Sequence, residues 1–574
     1  MPGRTLAPVV LASMLSVAAM AQPHIAERGI VNAASYLTPG LPNAGIAQGS
    51  IFTIYGDGLG PAQLIQAKSF PLPLDLASTS VRVVANGSTY PVYLYYTSAS
   101  AVSGVFPSRV PEGQATVTVT YNGKDSNAVT TQVRKAAFGI FTQNQAGSGP
   151  AVMQNWISPQ EAPHVNGIRS VIAAGQIGIL WGTGLGAISG SDADVPPAGN
   201  LPSEVEVLVG GKTARILYHG RSPTYPGLDQ INFEIPDTAI GCYVPLVVKA
   251  GGVASNFASI AIVTSGTLCG DSIAFRGKLW AGGAFTSVGI VEMLHEEYSM
   301  PNLAPLFWSE RATGRFFNVD WNYINLLPRL SDLPILPGTC TVSWNRWSDA
   351  DHMPDIYPQL PSPAVNIDAG DSLKIQGPSG KKSIPRASPS EYEAHLGGMT
   401  DLGSVADPRF MNPGAFTFDN VWQSPDVDPP PPAPPLPVTG NLKATVSLPG
   451  EMQWLNKSLL TAVDRTQDLT FRWSGGTDAR EYVVVGGSSA QESLKTRVTF
   501  LCAENPSAGQ LTVPAWILAL LPQSSTLQPN AFPYGHLFVG SSSNNVNALT
   551  STQGSLNMLY FRYSFLYHSI VDFR

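Results

Sequence analysis

The chain has 574 residues, of which 44% are hydrophobic and only 13% are charged, and it contains 55 glycines and 49 prolines. This length corresponds to about three to five domains, and the apolar content is too high for a disordered chain. The net charge is −7 and lysine and arginine form no run, which excludes nucleic-acid binding through clustered cations.

Residues 1–21 have the pattern of a secretory signal peptide. Arg4 supplies the positive start, residues 6–20 are apolar and uncharged, and Ala19-Met20-Ala21 matches an A-x-A cleavage site. The alternative is a membrane anchor, but a spanning helix needs about 20 apolar residues and this run is shorter. We therefore expect a secreted or cell-surface protein with no transmembrane segment after signal removal.

An internal repeat occupies the first half of the chain. Each copy contains an apolar strand, an aromatic residue and then G-x-G-L-G, and two further matching pairs follow in the same order about 125 residues apart. The matched segments are 50–62 with 176–188, 81–87 with 205–211, and 122–127 with 251–256. We expect two copies of one domain, at 26–135 and 136–269.

Each copy is predicted to be a β-sandwich. Residues 115–121 alternate apolar and polar side chains, with Val117, Val119 and Tyr121 on one face, as a half-buried strand requires. Asn86-Gly87 and Asn122-Gly123 are typical of tight hairpin turns, which need positive φ angles. Short strands with regular turns predict an all-β chain, with tandem immunoglobulin-like sandwiches followed by a β-rich C-terminal region.

Several segments of residues 26–265 carry a family resemblance. They are GIVNAASY at 29–36, IYGDGLG at 54–60, LWGTGLG at 180–186, GLDQINFEIP at 227–236, GCYVP at 241–245 and SN at 255–256. Together they resemble the IPT/TIG immunoglobulin-like repeat domains of secreted, uncharacterised soil-bacterial proteins. The first copy departs from the pattern, with Ala101–Phe106 where the second has Asp229–Phe233. The resemblance implies a fold and an export route but no settled activity.

The C-terminal half is predicted to contain three further segments. Residues 270–424 form a β-rich region, and 425–440 form a proline-rich linker or loop that favours extended polyproline II structure. Residues 441–574 form a β-sandwich-like region with one short helix at Pro514–Leu521. The segment 464–476 also resembles the regions that follow such repeats.

The four cysteines are expected to form disulfides, because an even count in an exported chain favours them. Of three connectivities, the sequence favours Cys242 with Cys269, which flank two strand-like runs of one predicted domain, and Cys340 with Cys502. The second bond would cross-link the two sides of the proline-rich run. A metal site would need C-x-x-C or nearby histidine spacing, and neither is present.

Motifs that suggest catalysis or cofactor binding are all better explained as ordinary turns or short secondary-structure elements. Gly56-Asp57-Gly58-Leu59-Gly60 lacks the G-x-G-x-x-G spacing of a dinucleotide loop, so we interpret it as a β-turn. His295-Glu296-Glu297 lacks the second histidine of a zinc helix, so we predict a surface turn or short helix. No nucleophile elbow or nucleophile–base pair is recognisable, so we predict no catalytic, cofactor-binding or metal-binding residues.

A polar loop with neighbouring aromatic residues is the candidate ligand surface. Its residues are Trp344, Trp347, Asp349, Asp351 and Tyr357. Alternating carboxylates such as Asp349, Asp351 and Asp355 can hold Ca²⁺, but Met353-Pro354 interrupts them, so an ordinary solvated loop is favoured. Flat aromatic rings stack on sugars or anchor protein contacts, whereas Trp473, on an alternating strand, is assigned to the core.

These features predict surface recognition without catalysis, by adhesion or by binding a glycan or protein ligand of unknown identity. The alternative is a secreted polysaccharide-directed enzyme with its active site in residues 270–424 and the sandwiches as accessory modules. Sequence leaves this alternative open, because it cannot show whether two carboxyl groups lie about 5–9 Å apart.

Overall fold

The structure, a computed structural model, describes residues 22–238, 240–266, 269, 285–300, 306–320, 336–346, 365–388, 390–420, 439, 442–450, 452–475, 481–524, 535–543, 546–547, 556 and 558–574. The predicted signal peptide and almost all of the proline-rich run therefore lie outside the described residues. The described chain is built of β-strands in several sheets, which confirms the predicted all-β class with tandem immunoglobulin-like sandwiches.

Among the described residues, helical structure is limited to short segments of one turn. The α-helix α1 spans Ala515–Leu518, begins after Pro514 and confirms the predicted short helix. Three 3-10 segments occupy Lys457–Leu459, Glu492–Leu494 and Pro506–Ala508. No helix among the described residues is long and apolar enough to span a membrane.

The first sandwich comprises residues 24–134. A five-stranded sheet in the order β1-β3-β9-β8-β4 faces a seven-stranded sheet in the order β2-β12-β10-β6-β5, with β11 beside β10 and β7 beside β6. Its strands are β1 His24–Asn32, β2 Ile46–Ala47, β3 Ile51–Asp57, β4 Ile65–Gln66, β5 Asp75–Leu76, β6 Thr79–Ala85, β7 Ser88–Pro91, β8 Tyr93–Thr97, β9 Ala101–Val105, β10 Gly113–Tyr121, β11 Lys124–Asp125 and β12 Val129–Arg134.

Strand β10 shows how the sequence pattern produces this sandwich. Val117 and Val119 are fully buried in the core, as their alternation predicts, while Tyr121 is half-buried at the strand end. The chain then turns at Asn122 and Gly123 with φ angles of 48° and 75°, the positive values that a tight hairpin requires. Asn86 and Gly87 make the corresponding turn after β6, with φ angles of 49° and 76°.

The second sandwich comprises residues 139–262. A six-stranded sheet in the order β15-β14-β16-β20-β19, with β13 beside β16, faces a five-stranded sheet in the order β18-β17-β21-β22, with β23 beside β21. Its strands are β13 Gly139–Ile140, β14 Met153–Asn155, β15 His164–Val165, β16 Ile177–Thr183, β17 Val205–Val209, β18 Lys212–Thr213, β19 Arg215–Arg221, β20 Asp229–Glu234, β21 Gly241–Ala250, β22 Val253–Ala254 and β23 Ala258–Ile262.

The repeated glycine motif lies at the end of equivalent strands, β3 and β16. A Cβ on Gly56 would lie 2.0 Å from the carbonyl oxygen of His24, and one on Gly182 would lie 2.1 Å from Cζ of Phe138. Only glycine allows the neighbouring chain to approach this closely. The motif therefore serves sheet packing, in agreement with the predicted β-turn and not with a nucleotide loop.

The C-terminal unit comprises residues 285–573 and is organised around one long sheet. The order is β26-β37-β36-β39-β41-β24-β25-β30-β29-β28-β31-β32, with β27 beside β25 and β40 beside β41, and two small sheets join β33-β35-β38 and β34-β42. Strand β24 pairs antiparallel with β25 and parallel with β41. Strands from both sides of residues 425–440 thus pair within one sheet and form one folded unit.

The strands of this unit are long in its centre and short at its ends. They are β24 Phe285–Ser299, β25 Phe307–Asp320, β26 Thr339–Arg346, β27 Val365–Asn366, β28 Ser372–Gly377, β29 Gly380–Ser388, β30 Glu391–Gly398, β31 Gly414–Asn420, β32 Lys443–Leu448, β33 Gln453–Trp454, β34 Ala462–Val463, β35 Leu469–Ser474, β36 Glu481–Gln491, β37 Thr496–Glu504, β38 Gln510–Val513, β39 Gly535–Ser543, β40 Val546–Asn547, β41 Met558–Ile570 and β42 Asp572–Phe573.

Both predicted disulfides are present. Cys242 is bonded to Cys269 in the second sandwich, and Cys340 on β26 is bonded to Cys502, which lies directly opposite it on β37. The second bond joins strands from the two sides of the proline-rich run, as the sequence analysis expects of that pairing.

The C-terminal unit packs against both sandwiches. Its core includes Trp473, which is buried as predicted, and extends to Leu41 of the first sandwich. Phe257 of the second sandwich belongs to the same core and stacks on Trp516 of α1, with ring centroids 6.0 Å apart and planes 5° apart.

Candidate functional site

The predicted ligand surface is described only at Trp344. Trp347, Asp349, Asp351 and Tyr357 lie outside the described residues, so their grouping stays a prediction. Trp344 lies on β26, is half-buried and packs against the C-terminal core where Leu41 and Phe257 also contribute. This tryptophan therefore fills an interface between units instead of forming an open platform.

The predicted surface turn or short helix at His295-Glu296-Glu297 is wrong. These residues lie in the middle of the long sheet, on β24, and His295 is only 4% exposed. Its Nδ1 atom lies 3.1 Å from Oε1 of Glu310 on the adjacent strand. Strands β25 and β41 pair with the two edges of β24, and the rings of Trp308, Phe565 and Tyr567 from these strands pack on His295 and bury it.

Glu310 is a fully buried carboxylate that is satisfied by surrounding donors. Its Oε2 accepts hydrogen bonds from the backbone N–H groups of Phe410 at 2.7 Å and Met411 at 3.0 Å, and Arg409 lies 3.4 Å from Oε1. Burial alone raises the pKa of Glu310, but the hydrogen bonds from His295 and the two backbone groups outweigh it and lower the pKa. This cluster anchors residues 409–411 to the sheet.

A second group of aromatic and titratable side chains lies on the opposite face of β24 and β41. The ring of Tyr298 stacks on His568 at 4.2 Å, and Nε2 of His568 lies 3.9 Å from Glu296. Burial and the neighbouring His536 lower the pKa of His568, and burial and Arg497 lower that of His536 to about 4, so both imidazoles are neutral at neutral pH. Within the described residues, no cluster of three or more metal-ligating side chains is present.

An outer surface of the second sandwich carries two tryptophans, Trp156 and Trp181. Leu180 of β16 faces the core and a side chain on Gly182 would point there too, so Ile177, Ile179 and Trp181 face outward. The backbone N–H of Trp156 bonds to the carbonyl of Ile177, which places a 39% exposed tryptophan beside β16.

We call this surface the Trp181 face. It consists of the outward residues of β14, β16, β20 and β19 together with Trp156. Side-chain amides border the outward residues of β16 on both sides, with Gln154 on β14 and Gln230 and Asn232 on β20. The indole N–H of Trp181 donates to Oε1 of Gln154 at 2.9 Å, and Gln230 donates to Asn232 at 2.9 Å. These bonds hold the Trp181 ring and the amides in fixed positions on the sheet.

The first sandwich presents an equivalent but more closed surface, the Tyr55 face. Tyr55 occupies the position of Trp181 in the repeated motif and faces outward from β3. Burial and the neighbouring Tyr96 raise the pKa of Tyr36 to about 12, and burial and the nearby Tyr36 and Tyr96 also raise the pKa of Tyr55. Tyr96 bonds to the hydroxyls of Thr53 and Ser103. These tyrosine side chains lie near one another and are largely removed from water.

A buried polar junction fixes the two sandwiches relative to each other. Arg221 and Asp229 form an ion pair with 1% and 0% exposure, and Asp229 also accepts from the N–H groups of Gly184 at 2.6 Å and Leu185 at 2.7 Å. The oxygen Oγ1 of Thr183 accepts a hydrogen bond from the backbone N–H of Ile51 in the first sandwich at 2.7 Å. The second G-x-G-L-G turn is therefore part of an inter-domain contact.

Sequence reasoning placed the candidate ligand surface in the C-terminal half and missed Trp156, Trp181, Gln154, Gln230 and Asn232. The sequence contains one signal for Trp181. In the alternating strand pattern, the residues on both sides of this aromatic residue face the core, so the aromatic residue itself faces outward. Trp156 and Gln154 carry no comparable signal, since their strand is only three residues long.

Neither the known protein families nor the curated proteins include a match to this chain. Among solved structures, the chain is similar to SGBP-B of the mixed-linkage glucan utilization locus of Bacteroides ovatus in complex with a mixed-linkage heptasaccharide (10% identity, 82% of this chain and 86% of that chain, TM-score 0.13). It is also similar to domains 5–6 of the S-layer protein SbsC (14% identity, 42% and 100%, TM-score 0.15) and to immunoglobulin domains 1–4 of sidekick-1 (10% identity, 96% and 100%, TM-score 0.10). TM-scores this low support no inference about function.

Proposed function

We propose that this protein is an exported, non-catalytic recognition protein that binds a glycan or protein ligand outside the cell or at its surface. The observation that carries the proposal is the Trp181 face, where Trp156 and Trp181 lie beside outward amides on one sheet. Exposed aromatic rings of this kind dominate the energetics of recognition surfaces.

The rigid framework supports recognition by a preformed surface. The hydrogen bond from Arg221 to Gly49 connects the two sandwiches, and the packing of Phe257 on Trp516 connects the second sandwich to the C-terminal unit. Side chains that are ordered before binding lose less conformational entropy when a ligand arrives. The sheet therefore presents the Trp181 face in a form ready to bind.

Export is supported by the cysteines and by the sequence pattern at the start of the chain. Two disulfides, Cys242–Cys269 and Cys340–Cys502, are typical of proteins in oxidising compartments. We also propose that the two sandwiches are IPT/TIG-like domains with boundaries at 26–135 and 136–269, because the equivalent β3 and β16 carry the repeated motif.

The test is to measure binding of the mature chain, beginning at residue 22, to a glycan array and to envelope fractions, with sugar release assayed in parallel. We expect binding without turnover, and weaker binding by Trp181→Ala. Tyr225→Ala is the matched control, because it removes a 52% exposed aromatic ring that is not on the Trp181 face. Sugar release, or an absence of binding to every glycan and envelope fraction, would contradict the proposal.

A further inference from the structure

We infer that the Trp181 face binds a neutral, extended polysaccharide chain. This inference rests on the proposed function and names its ligand class. Three properties of the outward residues of β14, β16, β20 and β19 support it. They are the spacing of the tryptophan positions, the chemistry of the neighbouring amides and the charge of the face.

The spacing of the two tryptophans indicates a chain and not a single sugar. Trp156 lies beside Ile177, and Trp181 lies four residues farther along the same strand. At about 3.3 Å per residue, this separates the two positions by about 13 Å along the strand direction. The separation of these backbone positions exceeds one pyranose ring, so a ligand that lies along β16 from one tryptophan position to the other consists of several linked sugars.

The amide side chains of Gln154, Gln230 and Asn232 match sugar hydroxyls. A hydroxyl both donates and accepts hydrogen bonds, and a carboxamide offers two N–H donors and an acceptor oxygen. The side-chain oxygen of Gln154 accepts a hydrogen bond from Trp181, and one N–H of Gln230 donates to Asn232. The other hydrogen-bonding groups of these amides can bind a ligand. Flat rings flanked by such amides suit the apolar faces and hydroxyl edges of sugars.

The charge of the face indicates a neutral ligand. Among the outward residues of these four strands, formal charge is carried only by Arg215 and Glu234, and these two pair with each other at 3.0 Å. An acidic polysaccharide would need unpaired cations on the surface. A protein partner is less well matched, because the outward Ile177, Ile179 and Trp181 form an apolar stripe only one strand wide with amides on both neighbouring strands, whereas the core of a protein interface is a broader apolar patch.

The experiment uses the mature chain and a length series of neutral gluco- and manno-oligosaccharides, from disaccharide to hexasaccharide, with polygalacturonate as the acidic comparison. Affinity is measured by isothermal titration calorimetry. We expect affinity to rise with length until the ligand reaches both tryptophans, and Trp156→Ala and Trp181→Ala each to weaken binding of the long ligand about tenfold or more. Trp181→Phe keeps a ring and should recover part of the loss.

The outcomes separate this inference from the proposed function. Tyr225→Ala should bind like the parent, and thermal unfolding of each variant shows whether it is folded. Binding of neutral glycans that survives both tryptophan substitutions, preference for polygalacturonate, or binding of a protein alone would overturn the inference and leave a recognition function. An absence of binding to every glycan and envelope fraction would overturn both.

Discussion

Nη2 of Arg221 in the second sandwich donates a hydrogen bond at 2.7 Å to the carbonyl oxygen of Gly49 in the first sandwich. The same nitrogen donates to the carbonyl of Gly186 at 2.6 Å, and the guanidinium is paired with Asp229. A buried cation thus closes the contact between two copies of the repeat. Neither partner of this charge pair has access to water, so each depends on the other.

Arg221→Ala should strongly destabilise the first half of the protein. The substitution leaves the Asp229 carboxylate buried without its cation, for which the expected loss is about 3–5 kcal/mol of unfolding free energy. Arg215→Ala is the matched control, because its pair with Glu234 is largely exposed and contributes about 0–1 kcal/mol. Urea denaturation measures both. Equal losses for the two variants would show that the junction is not held by the buried pair.

Removal of the two disulfides should have unequal effects. In the chain-entropy model, the loss is about 5 kcal/mol for Cys340–Cys502, which closes 162 residues, and about 3.5 kcal/mol for Cys242–Cys269, which closes 27. Double Cys→Ala variants at each bond are compared by urea denaturation under non-reducing conditions. A larger loss for the Cys242–Cys269 pair would contradict this ordering.

Glu310→Gln should destabilise the C-terminal unit by about 2–3 kcal/mol. The amide replaces one acceptor oxygen with an N–H group that faces the donors of His295 and Arg409 or those of Phe410 and Met411. Glu391→Gln is the matched control, since Glu391 lies on the neighbouring strand in an exposed pair. Denaturant midpoints monitored by tryptophan fluorescence compare the two variants, and we expect little change in the control.

The stability of the C-terminal unit should fall as the pH drops below the ordinary histidine range. In the folded state the pKa of His536 is lowered to about 4 and that of His568 is also lowered, so the unfolded chain binds more protons between about pH 6.5 and 4. Linkage then predicts that the unfolding free energy is fully retained above pH 6.5 and decreases on acidification by up to about 1.4 kcal/mol per pH unit for each histidine.

A pH series of urea denaturation curves measures this dependence. His536→Phe removes one titrating group and should reduce the slope over that interval, while His164→Phe, an exposed histidine of the second sandwich, should not. Identical slopes for the parent and His536→Phe would show that the buried imidazole does not control acid stability.

Much of the fold was predictable because its signals are local. Val117 and Val119 alternate with polar residues, Asn122-Gly123 specifies a tight hairpin, and the repeated G-x-G-L-G segment marks two equivalent strands. The disulfide pairing followed from the position of Cys242 and Cys269 within one predicted domain. The strand and turn inferences use residues close together in the chain, and the repeat and the disulfide pairing are inferred from the positions of segments and cysteines along it.

The candidate site was predicted less well. Trp344 is of a residue type common in binding sites but fills an interface. His295 is of a residue type common on surfaces but lies in the middle of a sheet. Trp181 was seen only as part of a repeat. In each case exposure depends on which distant segment covers the side chain, and composition contains no such information.

The sequence alone determined the all-β architecture, the tandem repeat and the favoured cysteine pairing, because strand period, turn residues, repeated segments and cysteine positions can be read from the chain without knowing how its sheets pack. Tertiary structure alone decided that residues before and after the proline-rich run share one sheet, that Arg221 and Asp229 are enclosed between sandwiches, and that Trp156 and Trp181 face outward together. The physical reason is that alternation divides the side chains of a strand into two faces, whereas long-range packing determines which of those faces is removed from water.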